Sequence, residues 1–557
     1  MTVTETKPED KASSTDLVEY DPNLVPLPPP PPDGLVGALS TYDHKTTGRL
    51  YIGTSLLLLI GGLVLFALVD VERTTPDQLG TLLTDDFFFQ VFTLSRVGVV
   101  LLGVLPLLLG IGSYVVPLQV GAPAGAFPRA SALGYWTWAL GSGLFVAGYL
   151  ANGGFAGGSA EGVELALLAL LLIIAGLSLT TIAVVATVTT MRAEGMTLQQ
   201  VPAFSWSMLA SGFIWLTTLG VLAGNVILIW VDYRYEQVLF GDAANQWLQV
   251  SWLFRLPAIY LLAIPVLGFI VDAVSTMSGQ RPAPYGALLG TIGAFSILSF
   301  GAWAQTAFDD SITQEAVYIA VAVVIVLPVL AFTGATAAMM RTKPTVSAGL
   351  VHAVFALLLL LLSVVVGALY VIEPLNLVGT SWAMGHTKLV IGVGIVGGLG
   401  ALQYWGGKIW GLQPPEALAR LEALVLTVGV LVWAIPELIT GLNDQVALGD
   451  VTGVVDDVSG ASSLNGVAAV GGAIVAAGAV LALLNNLRPM LRKRTVGADA
   501  DPHGGLTLEW ATTSPPPHGN FREPLPPVRS CSPLLDSRVD GDGDMSDGLA
   551  SEQKDRA

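Results

Sequence analysis

Cysteine is nearly absent from the chain. The 557 residues include one, Cys531, so no internal disulfide bond can form. Histidine is also scarce, with five residues, and only 12% of the residues are charged. Hydrophobic residues make up 53% of the chain and the mean hydropathy is +0.67, which excludes a soluble globular protein. The composition therefore predicts a polytopic membrane protein, and the net charge of −17 argues against nucleic acid as a partner.

The two ends of the chain are polar. No short apolar stretch follows a basic start, so no cleavable signal peptide is predicted. Residues 1–42 contain an unbroken proline run and are predicted to form a disordered cytoplasmic arm. Residues 491–557 are charged and then proline-rich, which predicts an extended cytoplasmic tail that becomes disordered after Ser530.

Between these ends, apolar segments long enough to cross about 30 Å of hydrocarbon follow one another. They cover residues 48–70, 87–116, 132–150, 162–190, 203–231, 247–271, 285–308, 315–340, 346–372, 384–409, 416–442 and 463–486. The sequence thus predicts an all-α integral membrane protein with a twelve-span membrane domain over residues 43–490.

Basic residues predict the orientation of these spans, because Lys and Arg accumulate in cytoplasmic loops. If the amino terminus is inside, the outer loops hold only Arg73 and Arg234. The inner loops and flanks hold Lys45, Arg49, Arg129, Arg192, Arg281, Arg341, Lys343, Lys408, Arg420, Arg488, Arg492, Lys493 and Arg494. We therefore expect both termini to be cytoplasmic.

Three basic residues remain inside predicted spans, Arg96, Arg255 and Lys388, and span 11 carries the acid Glu437. In the predicted topology all four lie in the outer half of the bilayer, where unpaired charges are costly. We expect Arg255 to meet Glu437 or an acid at the outer end of span 7, such as Asp309 or Asp310. The buried charge cluster is open to three interpretations: a structural ion-pair network, an ion or proton path, or a site for an anionic ligand.

Several motifs, in order, resemble subunit I of the haem-copper oxidases, in particular the cytochrome c oxidase branch. They are DHKTTGRLY at 43–51, YVVPLQVGAP at 114–123, AFPR at 126–129, PAFSWS at 202–207 and LEWATTSPPP at 508–517. The resemblance covers roughly residues 40–530. It implies the twelve-transmembrane-helix bundle of that family, with both termini cytoplasmic.

The resemblance also implies six histidine ligands for two haems and one copper ion, which this chain cannot supply. Only His352 and His386 lie in or near spans. Matching the motifs places Ser95 at a low-spin haem ligand, Leu256 at a copper ligand and Ala258 at the proton-gating glutamate.

Further positions of the same motifs are also altered. Tyr260 is retained, but its copper-ligand partner position is Leu256. The two remaining copper-ligand positions carry Gln305 and Thr306, and the span 10 haem-ligand positions carry Gly385 and Thr387. His386 falls between the last two. It is a candidate haem ligand, with an ordinary hydrogen-bonded histidine as the alternative.

These substitutions predict a cytochrome c oxidase subunit I-like protein of a respiratory complex that is redox-silent and serves as a scaffold or partner subunit. No metal site or cofactor is predicted, although the family uses haem and copper. One alternative is an ion- or proton-conducting or transport protein that uses the bundle interior. A further alternative is a working terminal oxidase with unfamiliar ligands. Expected partners are subunit II- and III-like proteins and the lipid bilayer, in the plasma membrane of a prokaryote.

Overall fold

The computed structural model describes residues 37, 40–74, 85–236, 239–241, 243–300, 316–342, 344–446, 460–491 and 500–539. Most of the predicted N-terminal arm and the last part of the tail lie outside these residues. So do Asp309 and Asp310, the expected partners of Arg255, and two predicted copper-ligand positions, Gln305 and Thr306.

The described chain is helical through the predicted membrane domain. The helices are α1 His44–Glu72, α2 Phe87–Gln119, α3 Pro128–Leu150, α4 Ala160–Thr190, α5 Ala203–Tyr235, α6 Asn245–Ser278, α7 Tyr285–Leu298, α8 Ala316–Thr342, α9 Ala348–Tyr370, α10 Trp382–Trp410, α11 Glu416–Leu442 and α12 Ala461–Leu491. A π-helical stretch, Gly98–Val104, lies inside α2.

Ten of these helices are long and apolar enough to cross a membrane. Of the other two, α3 has 23 residues but is less apolar, and α7 has only 14 residues before the described chain breaks off. The structure therefore supports an all-α membrane protein, while the count of twelve spans and the cytoplasmic location of both termini stay predictions.

Three helices form the centre of the bundle. The apolar windows of α2, α6 and α10 are wholly buried, whereas the other candidate spans expose part of theirs, as lipid-facing helices do. Helix α10 packs against α2, α6, α9 and α11, and α12 closes the bundle by packing on α1 and α11. The centre is therefore formed by helices distant in sequence.

Glycines let the central helices approach closely. A Cβ atom on Gly392 of α10 would lie 2.4 Å from Val430 of α11, and one on Gly397 would lie 2.4 Å from Val266 of α6. Such contacts are tighter than side chains tolerate, so only glycine fits at these crossings. The interior along this face of α10 is consequently filled by protein side chains.

Helix α6 changes direction within its first half. The α-helix ends at Ser251, a 3-10 turn covers Trp252–Phe254, and Arg255 adopts a non-helical backbone with ψ of −125°. The α-helix restarts at Leu256 with Pro257 in its first turn, where the missing proline N–H is not needed. Arg255 therefore lies at the junction of two helical segments and not within a continuous helix.

The C-terminal tail packs against one end of the bundle. The Nζ atom of Lys408, near the end of α10, donates to the carbonyl oxygen of Thr512 at 2.6 Å. The side chain of Asn520 accepts from Lys45 Nζ at 2.9 Å and donates to the Ala122 carbonyl at 2.7 Å. Residues of the tail are therefore part of the folded structure.

Candidate functional site

The most concentrated group of buried charges lies where α1, α10 and α11 meet. The Nζ atom of Lys388 is 2.9 Å from Asp70 Oδ1 and 2.8 Å from Glu437 Oε1. None of the three side chains is more than 1% exposed. Three helices that are far apart in sequence are thus joined through one ammonium group.

Arg73 and Trp433 complete this contact. Arg73 caps the C-terminal end of α1, is 3% exposed and forms an ion pair with the same Oε1 atom of Glu437. The indole N–H of Trp433 donates to Asp70 Oδ2. We call Asp70, Arg73, Lys388 and Glu437 the Lys388 network. Its two acids and two bases balance, and each of the four side chains makes at least one hydrogen bond, although Arg73 Nη2 and Glu437 Oε2 have no hydrogen-bond partner among the described residues.

Arg96 lies beside the Lys388 network without joining it. Its guanidinium is 3.4 Å from the ring centroid of Phe92 and 4.6 Å from that of Phe66, and its Nη1 donates to the Phe92 carbonyl at 3.1 Å. The carboxylates of Asp70 and Glu437 are close enough to attract its positive charge. Aromatic faces therefore contribute cation–π stabilisation to this guanidinium.

The expectation that Arg255 meets Glu437 is wrong. Arg255 is exposed, and among the described residues it forms no ion pair. Glu437 is instead occupied by Lys388 and Arg73. The physical reason is the break in α6, which places Arg255 at the start of a new helix instead of inside a continuous one.

A second buried polar group lies toward the other end of α10. His352 Nε2 is 3.6 Å from Glu422 Oε1, and both side chains are fully buried. The other oxygen of Glu422 accepts from Gln403 at 2.9 Å and from Asn485 at 2.7 Å. These residues come from α9, α10, α11 and α12, so this group also joins elements that are distant in sequence.

His386 is buried between α9 and α10. A Cβ atom on Gly367 of α9 would lie 3.0 Å from His386 Nε2, and within the described part of the chain this nitrogen has no hydrogen-bond partner. The α9 backbone thus lies directly against the nitrogen that would bind a metal.

The positions matched to haem ligands form bonds within their own helices. Ser95 Oγ donates to the Phe92 carbonyl at 2.8 Å and Thr387 Oγ1 donates to the Ala383 carbonyl at 2.9 Å. A Cβ atom on Gly385 would lie 2.9 Å from the Ala434 carbonyl oxygen, so α11 is in contact there.

The span 6 positions lie in the apolar core. Ala258 and Tyr260 are buried, with the Tyr260 ring 5.1 Å from that of Phe295. Only the backbone is described for Leu256. No group of three or more His, Cys, Asp or Glu side chains that could hold a metal ion occurs in the described ranges.

The family model described as "Cytochrome C and Quinol oxidase polypeptide I" matches residues 46–474. The chain belongs to this family. A Streptomyces coelicolor chain named for cytochrome c oxidase subunit 1-beta is 29% identical over 527 residues, 90% of each chain. Cytochrome c oxidase subunit 1 of Alkalihalophilus pseudofirmus is 27% identical over 534 residues, 91% of this chain and 84% of that one.

The fold of this subunit I-like protein also resembles a solved structure. A chain from the cryo-EM structure of a haem-copper terminal oxidase dimer superposes with a TM-score of 0.66 and 13% identity, over 82% of this chain and 85% of that chain. The apolar helices and the bacterial relatives together identify a multi-pass plasma-membrane protein.

Haem and copper, which the family implies, do not fit the described residues at these positions. Ser95 and Thr387 use their hydroxyl groups on their own helices, and Gly385 has no side chain. His386 Nε2 faces the α9 backbone at a distance that leaves no space for a porphyrin ring on a bound iron. We therefore derive no chemistry through haem or copper.

Sequence reasoning missed half of the Lys388 network. Asp70 lies at the last position of predicted span 1 and Arg73 falls in the loop after it, so neither was counted among the intramembrane charges. Helix α1 continues to Glu72, which places Asp70 within the helix, in its last turn, where it shares Lys388 with Glu437. The overlooked pattern was an acid, Asp70, at the end of an apolar segment. In the predicted topology this acid lies in the same half of the bilayer as the three bases inside spans.

Proposed function

We propose that this protein is a redox-silent relative of oxidase subunit I that serves as a scaffold or partner subunit in a respiratory membrane complex. The observation that carries this proposal is the state of the haem-ligand positions. Ser95, Gly385 and Thr387 are committed to contacts within and between helices. Oxygen reduction by this family's chemistry needs metal ligands at those places.

The proposed partners are subunit II- and III-like membrane proteins. The "Heme-copper oxidase subunit I+III" of Aeropyrum pernix, 28% identical over 520 residues, is by its name a fusion of two such subunits. This chain covers 62% of that protein. We propose that a subunit III-like protein is also a partner of this chain, and that both termini of this chain face the cytoplasm, where the tail can contact it.

Metal and haem analysis of the purified protein tests the proposal. The protein is extracted in mild detergent with its associated chains, and haem is measured by the pyridine haemochrome spectrum and copper by mass spectrometry. We expect much less than one haem and one copper per chain. The A. pseudofirmus relative, prepared in the same way, shows whether the extraction itself removes cofactors.

Two results contradict redox silence. One is stoichiometric haem and copper in the purified chain. The other is cyanide-sensitive oxygen uptake with reduced cytochrome c that is tied to this chain alone, which would support the terminal-oxidase alternative.

A conducting function is the second candidate, favoured by buried ionisable groups at two depths. Lys388 and Gln403 are separated by about 22 Å along α10, and each contacts buried carboxylates, Glu437 and Glu422 respectively. Buried ionisable groups in membrane proteins often mark ion or proton paths. Proton uptake by proteoliposomes under a potassium-diffusion potential tests this candidate: conduction predicts flux above that of empty liposomes and its loss in Glu422→Gln, whereas a scaffold shows no flux in either protein.

A further inference from the structure

His352 and Glu422 form a buried pair that is distinct from the Lys388 network. His352 belongs to α9, Glu422 to α11, and the adjoining Gln403 and Asn485 to α10 and α12. None of the four is more than 4% exposed. The pair lies about 22 Å along α10 from Lys388, so it cannot be an extension of that network.

The protonation of one histidine nitrogen follows from its partner. His352 Nδ1 is 2.9 Å from the backbone carbonyl oxygen of Ala348, one turn earlier in α9. A carbonyl oxygen only accepts hydrogen bonds, so Nδ1 must carry a hydrogen atom. In a neutral imidazole the second nitrogen, Nε2, would then present a lone pair.

Nε2 faces a carboxylate oxygen. It lies 3.6 Å from Glu422 Oε1, and within the described part of the chain neither atom has another hydrogen-bond partner. Glu422 Oε2 already accepts two N–H groups, from Gln403 and Asn485. A neutral imidazole beside an ionised carboxylate would place two lone pairs against each other and leave one negative charge in an apolar interior, which is costly.

Other ionisable groups on the adjoining elements are directed elsewhere. They are Tyr404, Lys408, Glu416, Arg420 and Arg488 on α10, α11 and α12, and Asp272 on α6. Of the tail residues beside α10, His503 stacks on the Tyr404 ring, and Glu509 accepts from Gln119 and Trp405.

The contacts of these groups show where each is directed. The Tyr404 hydroxyl donates to Thr276 and Lys408 donates to tail carbonyls, while Asp272 accepts from Gln119 and the Phe204 N–H.

The remaining three groups lie toward the surface. Glu416 and Arg420 pair with each other at a partly exposed position, and Arg488 is exposed. Among the described residues, then, a base that could neutralise Glu422 is supplied by His352 itself.

We propose that His352 and Glu422 form a proton-binding site inside the bundle, which holds one proton between Nε2 and Oε1. The two N–H groups on Oε2 stabilise the carboxylate form, so the proton resides on the imidazole and the pair is an imidazolium–carboxylate ion pair. The pair is then neutral as a whole. Removing the proton leaves a buried negative charge that no cation among the described residues compensates.

Nitrogen NMR of the whole protein tests this site. The chain has five histidines, so ¹⁵N-histidine labelling of the protein in lipid nanodiscs gives few signals, and His352→Gln assigns the one of interest. We expect both ring nitrogens of His352 to be protonated at neutral pH. In Glu422→Gln the ring should become neutral with the proton on Nδ1 alone.

His386 is the matched internal control. It is buried in the same bundle, but its Nε2 faces the α9 backbone instead of a carboxylate. We expect a neutral His386 ring, assigned by His386→Gln, in the same spectra. A charged His386 would mean that the ring signals do not report the carboxylate and would overturn the assignment of the proton to the pair.

Infrared spectroscopy locates the proton if it is on the acid. A neutral His352 ring together with a protonated carboxyl C=O band that disappears in Glu422→Gln would still support one bound proton. A neutral ring without such a band means an ionised Glu422 beside neutral imidazole, and overturns the proposal.

Discussion

Lys388 Nζ lies 2.8 Å from Glu437 Oε1, and neither side chain is exposed. This ion pair joins α10 to α11, and through Asp70 and Arg73 it also joins both helices to the end of α1. The contact lies in α10 shortly before the glycines at which this helix packs closely against its neighbours. It therefore fixes how far α10 and α11 are shifted along one another. A closed ion-pair network of this kind sets which surfaces meet, even where its net contribution to stability is small.

Replacing Lys388 with methionine should strongly destabilise the protein. The substitution leaves Asp70 with the Trp433 N–H as its remaining described partner and an uncompensated charge. Removal of one partner of a buried ion pair typically costs about 3–5 kcal/mol. Thermal unfolding in detergent, followed by fluorescence-detected gel filtration, measures the loss.

Two further variants make that result specific. Asp70→Asn in the Lys388→Met background removes the uncompensated acid while Arg73 still pairs with Glu437, so stability should partly return. Arg420→Gln breaks an ion pair whose side chains are 47% and 38% exposed, and should change stability by about 1 kcal/mol or less. Equal losses in Lys388→Met and Arg420→Gln would contradict the structural role of the network.

The sequence allowed part of this arrangement to be predicted. Counting residues along the predicted spans places Lys388 and Glu437 at similar depths in the membrane, and the two side chains are in contact in the structure. Depth alone could not place Arg255, because its position depends on a break in α6 that apolar composition does not reveal. The partners of Glu422 come from helices α9, α10 and α12, and periodicity within one helix carries no information about such contacts.

Arg255→Gln should leave the isolated chain as stable as wild type. The side chain is exposed and forms no ion pair within the described residues, so its loss removes no buried contact seen in the structure. Substitutions at such positions usually change stability by less than about 0.5 kcal/mol. A large fall in the amount or melting temperature of the purified variant would show that Arg255 pairs with an acid after all.

Close helix packing predicts that replacing glycine with alanine will destabilise the protein at one position and will not at another. A Cβ atom on Gly471 of α12 would lie 2.2 Å from the Trp433 backbone nitrogen, so Gly471→Ala must push α12 away from α11. Among the described residues, no heavy atom lies within 4 Å of the Cβ position of Gly220 in α5.

We therefore expect a marked loss of folded protein for Gly471→Ala. Gly220→Ala should be neutral or stabilising by up to about 1 kcal/mol, because alanine favours helix. Melting temperatures of the two variants give the comparison, and a stable Gly471→Ala protein would contradict the contact between α11 and α12.

The tail contributes a buried acid at one end of the bundle, and this predicts a pH dependence. Glu509, in the 3-10 turn Leu508–Ala511, is fully buried and accepts from Gln119 at 3.0 Å and from the Trp405 indole at 3.2 Å. The second N–H of the Gln119 amide donates to another buried acid, Asp272, at 2.8 Å. Burial raises the pKa of Glu509 above its ordinary value, although the hydrogen bonds it accepts oppose the rise.

The raised pKa of Glu509 determines whether folding stability rises or falls with pH. A carboxyl group that is harder to ionise in the folded protein contributes stability that is fully present below the pKa of unfolded glutamate, about 4.3. That contribution is lost as the pH rises through the folded-state pKa, by about 1.4 kcal/mol for each unit of elevation. Glu509→Gln keeps a neutral side chain at every pH. The difference in melting temperature between this variant and wild type should therefore shift in favour of the variant as the pH rises from acidic toward neutral values. Glu523→Gln alters an exposed acid of the same tail and should follow wild type throughout; if Glu509→Gln also follows wild type, Glu509 is not buried in the folded protein.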